Sequence, residues 1–204
     1  MKVMLVSHTA NPEQVIEMAA RNCYKSEPKG VDAGRRLIAS CIRRGHDSVI
    51  EHASVTFAVE GISRACSHQL VRHRIASYSQ ESQRYVDPTK GAMEWIVPES
   101  IRENSLALQT YNDLLADVER TYRELCGAFR IPKQDARFVL PNACPTSIHV
   151  TMNFRALRNF LRLRLDKHAQ WEIRAMAREM LQLVMDVAPT VFDDIATEQE
   201  ALEG

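Results

Sequence analysis

The 204 residues carry 26 basic and 26 acidic side chains, with 45% hydrophobic and 25% charged residues. This is the composition of one domain that buries a core without staples, and its zero net charge excludes a surface built throughout to hold polyanions, so an anionic ligand needs a local concentration of Arg and Lys. The five cysteines, Cys23, Cys41, Cys66, Cys126 and Cys144, are odd in number and fit no zinc-ribbon spacing, which reads as a reducing, cytoplasmic setting; no apolar run approaches the roughly 20 residues that span a bilayer, and Met1–Val6 is too short an apolar start for a signal peptide.

Residues 2–7 are expected as a short strand. Asn11-Pro12 then opens a helix to about Asn22, with a cap residue followed by Pro at the first helical position. A second helix covers about 31–43 and stops at Gly45. Val55, Phe57 and Val59 alternate, which predicts a strand over 53–60 broken by Gly61, followed by a helix over 62–71 that delivers Arg72. A strand over 93–97 ends at Pro98, and 99–127 forms one long amphipathic pattern through Leu106, Leu108, Tyr111, Leu114, Leu115, Val118, Tyr122 and Leu125. Pro132 starts a short helix to about Val139, and Ile148, Val150 and Met152 alternate as a strand. Helices over about 154–164 and 170–187 finish the chain, with 198–204 as a frayed tail. Long helices with few, separated strands predict an α+β single domain over 1–204, its small, mostly antiparallel sheet packed by long helices. No Gly-rich phosphate loop of either common pattern occurs, so a nucleotide site here is of another kind.

Residues 69–85 read Gln69-Leu70-Val71-Arg72-His73-Arg74-Ile75-Ala76-Ser77-Tyr78-Ser79-Gln80-Glu81-Ser82-Gln83-Arg84-Tyr85, placing three Arg, one His, three Ser and three Gln in seventeen positions. Arg supplies a planar fork that matches phosphate oxygens, and hydroxyls and amides suit the polar edge of a heterocycle. The same segment also reads as a solvated basic loop, or as a nucleic-acid surface built on Arg72, Arg74, Tyr78, Arg84 and Tyr85. Zero net charge and 6% aromatics weigh against nucleic acid as a partner. A serine nucleophile needs a partner base and the motif supplies arginines instead, so Ser82 reads as a hydrogen-bond donor and not a nucleophile.

Arg72-His73-Arg74, seven residues and then Ser82 form a complete signature that resembles the flavin-dependent thymidylate synthases. Further blocks are similar in the same order: Ala19–Tyr24, Gly45-His46-Asp47-Ser48-Val49-Ile50-Glu51-His52, Arg137–Pro141, Asn153 with Arg155 and Asn159, and Leu163-Arg164 followed by Asp166, His168, Gln170 and Glu172. The resemblance implies that Ser48, Arg72, His73, Arg74, Gln80, Asn153, Arg155 and Asn159 hold FAD, with His46 near flavin and folate. It implies a dUMP pocket of Gln69, Arg72, Gln80, Glu81, Ser82, Gln83, Arg84, Arg137 and Arg164. Many members have Asn-Glu where this chain has Ser79-Gln80, and Gln80 supplies no negative charge. The family also implies methylenetetrahydrofolate as carbon donor, NAD(P)H as reductant of FAD, and a homotetramer with shared active sites.

Arg155 and Asn159 stand four apart, hence on one side of a helix, with Phe154, Leu157 and Leu161 opposite. Arg155, Arg158 and Arg162 also read as an ordinary basic outer face. Carried over by position, Arg164 is the catalytic residue, stabilising negative charge on the pyrimidine so that C5 becomes nucleophilic. Cys144 has no neighbouring base in sequence and is expected inert, and Cys23 is expected as a small buried residue. His46, Glu51, His52, His68 and His73 match no standard zinc spacing, so no metal is expected.

Overall fold

A computed structural model describes residues 1–23, 25–87 and 93–203. Four strands, β1 (Lys2–His8), β2 (Ser54–Ser63), β3 (Ser77–Gln80) and β4 (Pro145–Asn153), form one antiparallel sheet in the order β1-β2-β4-β3. The helices are α1 (Pro12–Asn22), α2 (Val31–Arg43), α3 (Arg64–Leu70), α4 (Glu99–Arg102), α5 (Ser105–Cys126), α6 (Lys133–Ala136), α7 (Phe154–Arg164), α8 (Trp171–Met185) and α9 (Pro189–Glu203). Short 3-10 turns occupy Asp47–His52 and Arg137–Val139. This is the expected α+β class.

Antiparallel register is visible in the β2–β4 pairing. The Phe154 N–H donates to Ala53 O at 2.9 Å and the Arg64 N–H donates to Cys144 O at 3.0 Å, so numbers rise along one strand as they fall along the other. Thr56 and Thr151 face each other between these points, with hydroxyls 2.9 Å apart. Val55, Phe57 and Val59 on β2 and Ile148, Val150 and Met152 on β4 are buried, as alternation requires.

The chain forms two compact units. Unit 1 comprises Met1–Val59, Leu70–Ser79 and His149–Gly204. Its core collects Ile16, Ile38, Ile50, Phe57, Phe154, Leu157, Phe160, Met176 and Phe192, all essentially without solvent contact. Each such side chain contributes about 1.5–3 kcal/mol by leaving water. Unit 2 comprises Glu60–Gln69 and Gln80–Ile148, with Ile62, Cys66, Leu115, Tyr122, Ala136, Cys144 and Ile148 buried.

In unit 1, α7 starts because Asn153 Oδ1 accepts the Ala156 N–H at 2.8 Å. Its apolar stripe, Phe154, Leu157, Phe160 and Leu161, is buried, and Arg155 and Asn159 are exposed on the other side. Arg158 departs from the expected basic face. It is 4% exposed and donates to both carboxylate oxygens of Asp194 at 2.6 Å and to Val191 O. The partner lies on α9, a helix that sequence reading missed over 189–197 and took for a frayed tail beyond. α9 holds because Val191, Phe192 and Ile195 are buried and the Glu13 carboxylate accepts the Thr190 N–H at 2.7 Å.

Other boundaries also shift. Gly61 does not end β2; its φ of +67° lets the chain bend while pairing continues to Ser63, so the helix begins at Arg64. The pattern over 99–127 splits because Asn104 is extended and its Oδ1 caps α5 through the Ala107 N–H at 3.1 Å. Residues 93–97 form no strand: Ile96 makes single hydrogen bonds, to Ala143 O and from the Tyr111 hydroxyl, rather than a ladder. Asn11 precedes α1 in the left-handed region with φ of +46° and makes no side-chain cap. Cys23 is exposed, not buried. Tyr24, in the early block, lies outside the described residues. No helix among the described residues is long and apolar enough to cross a membrane.

Candidate active site

In unit 1 the Arg-His-Arg segment forms the turn after α3. The His73 N–H donates to Leu70 O at 3.1 Å, and the Tyr78 hydroxyl lies 2.9 Å from Leu70 O and 2.7 Å from His73 O. One phenolic proton thereby serves two carbonyls, at the helix end and at the turn. Burial raises the Tyr78 phenol to about 12, so it stays a donor at neutral pH. Arg72 and Arg74 flank His73, exposed, and neither has a protein partner among the described residues.

His73 itself turns inward. Its ring meets Phe160 edge-on, with centroids 5.0 Å apart and planes at 75°. Its Nε2 lies 2.9 Å from Arg164 Nε. Arginine Nε can only donate, so His73 Nε2 accepts and the imidazole proton sits on Nδ1. Burial first, and the Arg164 charge second, push the imidazole down to about 4. His73 is therefore neutral at physiological pH.

The Asp47–His52 turn buries Val49 and Ile50 and leaves His46, Ser48, Glu51 and His52 exposed. Glu51 Oε1 accepts from Arg155 Nη1 at 2.5 Å, which joins this turn to the exposed side of α7. Asn159 stands one helical turn beyond Arg155, also exposed. Asn153 spends its side-chain oxygen on capping α7.

Unit 2 holds the remaining predicted residues. Gln69 lies half-buried near the end of α3. Gln80 Nε2 donates to Ser67 Oγ at 2.9 Å and to Thr146 Oγ1 at 3.2 Å. Glu81 Oε2 accepts from Ser147 Oγ at 3.2 Å. The Ser82 carbonyl accepts from the Tyr85 and Val86 N–H groups, and Ser82 Oγ accepts from the Arg84 N–H at 3.3 Å. The serine thus builds a turn. Gln83 Nε2 lies 3.2 Å from Cys144 Sγ. Cys144 is fully buried, and that burial raises its thiol pKa despite the Gln83 contact and the Arg64 charge, so the sulfur stays protonated and weakly nucleophilic.

Arg84 and Arg137 meet on one residue. Arg84 Nη2 donates to Gln134 Oε1 at 3.5 Å, and Arg137 Nε donates to the Gln134 carbonyl at 3.1 Å. Lys133 Nζ reaches Tyr85 O at 3.2 Å, with the Asp87 carboxylate 4.0 Å away. The two arginines thus share the neutral Gln134, Lys133 pairs with Asp87 beside them, and neither arginine forms an ion pair among the described residues. Gln134 was not foreseen from sequence, since it carries no signature, and Tyr78 was named only for a nucleic-acid surface, not as the residue that ties the turn. Lys133 had a weak signal, four residues before Arg137 on a helical turn.

A cleft of about 780 Å³ in unit 1 contains none of the predicted residues. Part of its charged lining is engaged: Glu13 caps α9 and lies 3.7 Å from Arg35, and Glu17 pairs with Arg21 at 2.7 Å.

The family model described as thymidylate synthase complementing protein matches residues 4–190. A flavin-dependent thymidylate synthase of Geobacter sulfurreducens is 50% identical over 203 residues, covering 95% of this chain and 86% of that protein. One from Clostridium tetani is 40% identical over 215 residues, covering 94% and 85%. The crystal structure of the flavin-dependent thymidylate synthase ThyX of Helicobacter pylori, complexed with FAD and dUMP, superposes with a TM-score of 0.76 at 26% identity, covering 96% of this chain and 99% of that one. With a family model over most of its length and relatives of this identity, the chain belongs to the flavin-dependent thymidylate synthases.

Proposed function

We propose that this chain converts dUMP to dTMP, with methylenetetrahydrofolate as carbon donor, FAD as hydride carrier and NAD(P)H as its reductant. The observation that carries the reading is the meeting of Arg84 and Arg137 on Gln134 with no ion pair to either among the described residues, a receptor for a doubly charged phosphate monoester. Ser82, whose hydroxyl lies in the turn leading to Arg84, supplies a further donor to the nucleotide, and Gln69, Gln80, Glu81 and Gln83 line its polar edges. Arg72 serves both ligands.

The donor set also fits FAD. Arg72 and Arg74 are exposed guanidiniums without protein partners among the described residues, suited to a pyrophosphate, and the exposed Ser48, Arg155 and Asn159 with His46, His73, Gln80 and Asn153 supply polar contacts. Bound FAD would supply the hydride that reduces the transferred carbon to methyl. The protein's part is electrostatic. Arg164 sets a fixed positive charge against the pyrimidine carbonyl, favouring the ionised ring in which C5 carries more electron density; a preorganised donor of this kind is worth about 3–4 kcal/mol. Cys144 takes no part. The working form is a cytoplasmic homotetramer in which one active site draws residues from more than one subunit.

The test is a flavin absorbance spectrum of the purified protein followed by dUMP titration of wild type, Arg84→Ala and Arg137→Ala. Each substitution removes a charged hydrogen bond worth about 1.5–3 kcal/mol, or about tenfold to a hundredfold in Kd, and higher salt weakens wild type more than either variant. A colourless protein, or variants that bind dUMP as wild type does, would defeat the reading.

A further inference from the structure

We propose that His73 is a positioning residue for Arg164, a neutral acceptor that fixes the guanidinium without cancelling its charge. The proposal rests on the assignment of Arg164 to the pyrimidine made above. Its starting point is that the half-buried His73 faces Arg164: Nε2 stands 2.9 Å from Arg164 Nε.

One contact holds the imidazole ring and two hold its backbone. Phe160 from α7 packs edge-on against its ring. Tyr78 from β3 holds its carbonyl at 2.7 Å, and its own N–H is tied to Leu70 O. Accepting at Nε2 fixes the proton on Nδ1, so the ring offers Arg164 a lone pair in one direction only. A guanidinium is planar, and a fixed partner at Nε sets both the plane and the direction of the edge formed by its two terminal nitrogens.

Most residues that orient an arginine are carboxylates, and a carboxylate here would work against the chemistry. It would bind the two-nitrogen edge bidentately and offset the positive charge that the pyrimidine needs. An imidazole takes one N–H and brings no negative charge of its own. The groups that face His73 keep it in that state. Arg164 from α7 opposes its protonation, Arg72 and Arg74 flank it on its own turn, and the Tyr78 phenol contributes only a neutral donor. No acid among the described residues is bonded to the ring. The Arg-His-Arg order therefore combines two outward cations with one inward acceptor.

The experiment uses the flavin-loaded protein with selectively ¹⁵N-labelled histidine, and dUMP binding and turnover of His73→Gln, His73→Phe, Arg164→Gln and His73→Phe/Arg164→Gln at matched flavin content. Wild-type His73 is expected in the Nδ1–H tautomer and uncharged at pH 6, and Arg164→Gln should shift its Nε2 resonance. The Phe variant keeps a ring against Phe160 but has no acceptor, and loses about tenfold or more in dUMP affinity together with kcat. The Gln variant presents an amide oxygen and recovers most of that loss. In the Arg164→Gln background His73→Phe has little further effect, because one interaction is lost only once. An Nε2–H tautomer, additive losses in the double variant, or a Gln variant no better than Phe would each overturn the proposal. Should Arg164→Gln bind dUMP and turn over as wild type does while the resonance shift is present, the assignment of Arg164 to the pyrimidine fails instead.

Discussion

Replacing Gln80 by Glu tests the reasoning about unit 2 most sharply, because one atom changes and two hydrogen bonds reverse. Ser67 Oγ donates its single proton to Arg64 O at 3.0 Å, so toward Gln80 it can only accept, which sets Nε2 of the amide against Ser67 and Thr146. Ser67 is fully buried and Thr146 nearly so. A carboxylate at this position donates nothing. Ser67 must either turn its proton away from Arg64 O or leave a lone pair facing an anion. One neutral hydrogen bond is worth about 1 kcal/mol and the stranding of a buried acceptor about 1–3 kcal/mol, so Gln80→Glu should cost about 1–3 kcal/mol at pH 7.5. The protonated acid can donate once, which raises the carboxyl pKa in the folded state above its unfolded value. The native form then holds more protons than the unfolded chain, and the loss shrinks as pH falls toward 5. Urea denaturation of wild type, Gln80→Glu and the uncharged Gln80→Leu at both pH values reads this directly. Stability of the Glu variant equal to wild type at pH 7.5, or a pH response shared by the Leu variant, would refute the proton direction assigned here.

Asp194→Ala strands the Arg158 guanidinium, which is 4% exposed, while Asp194 itself is 38% exposed. The expected loss is about 2–4 kcal/mol by chemical denaturation, below the full cost of breaking a buried pair because water reaches the carboxylate; Arg158→Met/Asp194→Ala should be more stable than Asp194→Ala alone. Cys144→Ser should keep turnover, and loss of all turnover in a folded variant would show that the sulfur is needed. Acid weakens the fold through His73, whose pKa falls from 6.5 to about 4 on folding. Below pH 6.5 the unfolded chain binds the proton more readily, so this group's contribution is complete above 6.5 and lost as pH falls toward 4. After allowance for its partial exposure that amounts to about 1–2 kcal/mol, and the stability of His73→Gln should fall less steeply across that window.

Periodicity located the helices whose burial is one-sided and long, such as α2, α7 and α8, within a residue or two. It failed where the decisive partner is distant in sequence. α9 depends on Glu13 and Arg158, and nothing in residues 189–203 announces either. Arg158 looked like one more surface cation because the spacing that places Arg155 outside says nothing about an acid on a later helix. The four-residue β3 was hidden inside a polar motif, since Ser, Tyr, Ser and Gln do not read as a strand until β4 lies beside them. Single turn residues were decisive in both directions. Asn104 capped where a continuous helix was expected, and Gly61 bent a strand it was expected to stop. The site residues were found by a motif rather than by composition, so the motif named Arg84 and Arg137 but not Gln134 between them, and named His73 without showing that it faces inward.

Residues alternate sides along a strand, so Tyr78 reaches the Leu70 and His73 carbonyls only in the present alignment of β3. A slip of one position would send the phenol outward and release both carbonyls together. The stance of Arg72 and Arg74 is thus set by a strand of four residues, and a ligand that engages them meets a turn whose ordering entropy was spent when the sheet zipped.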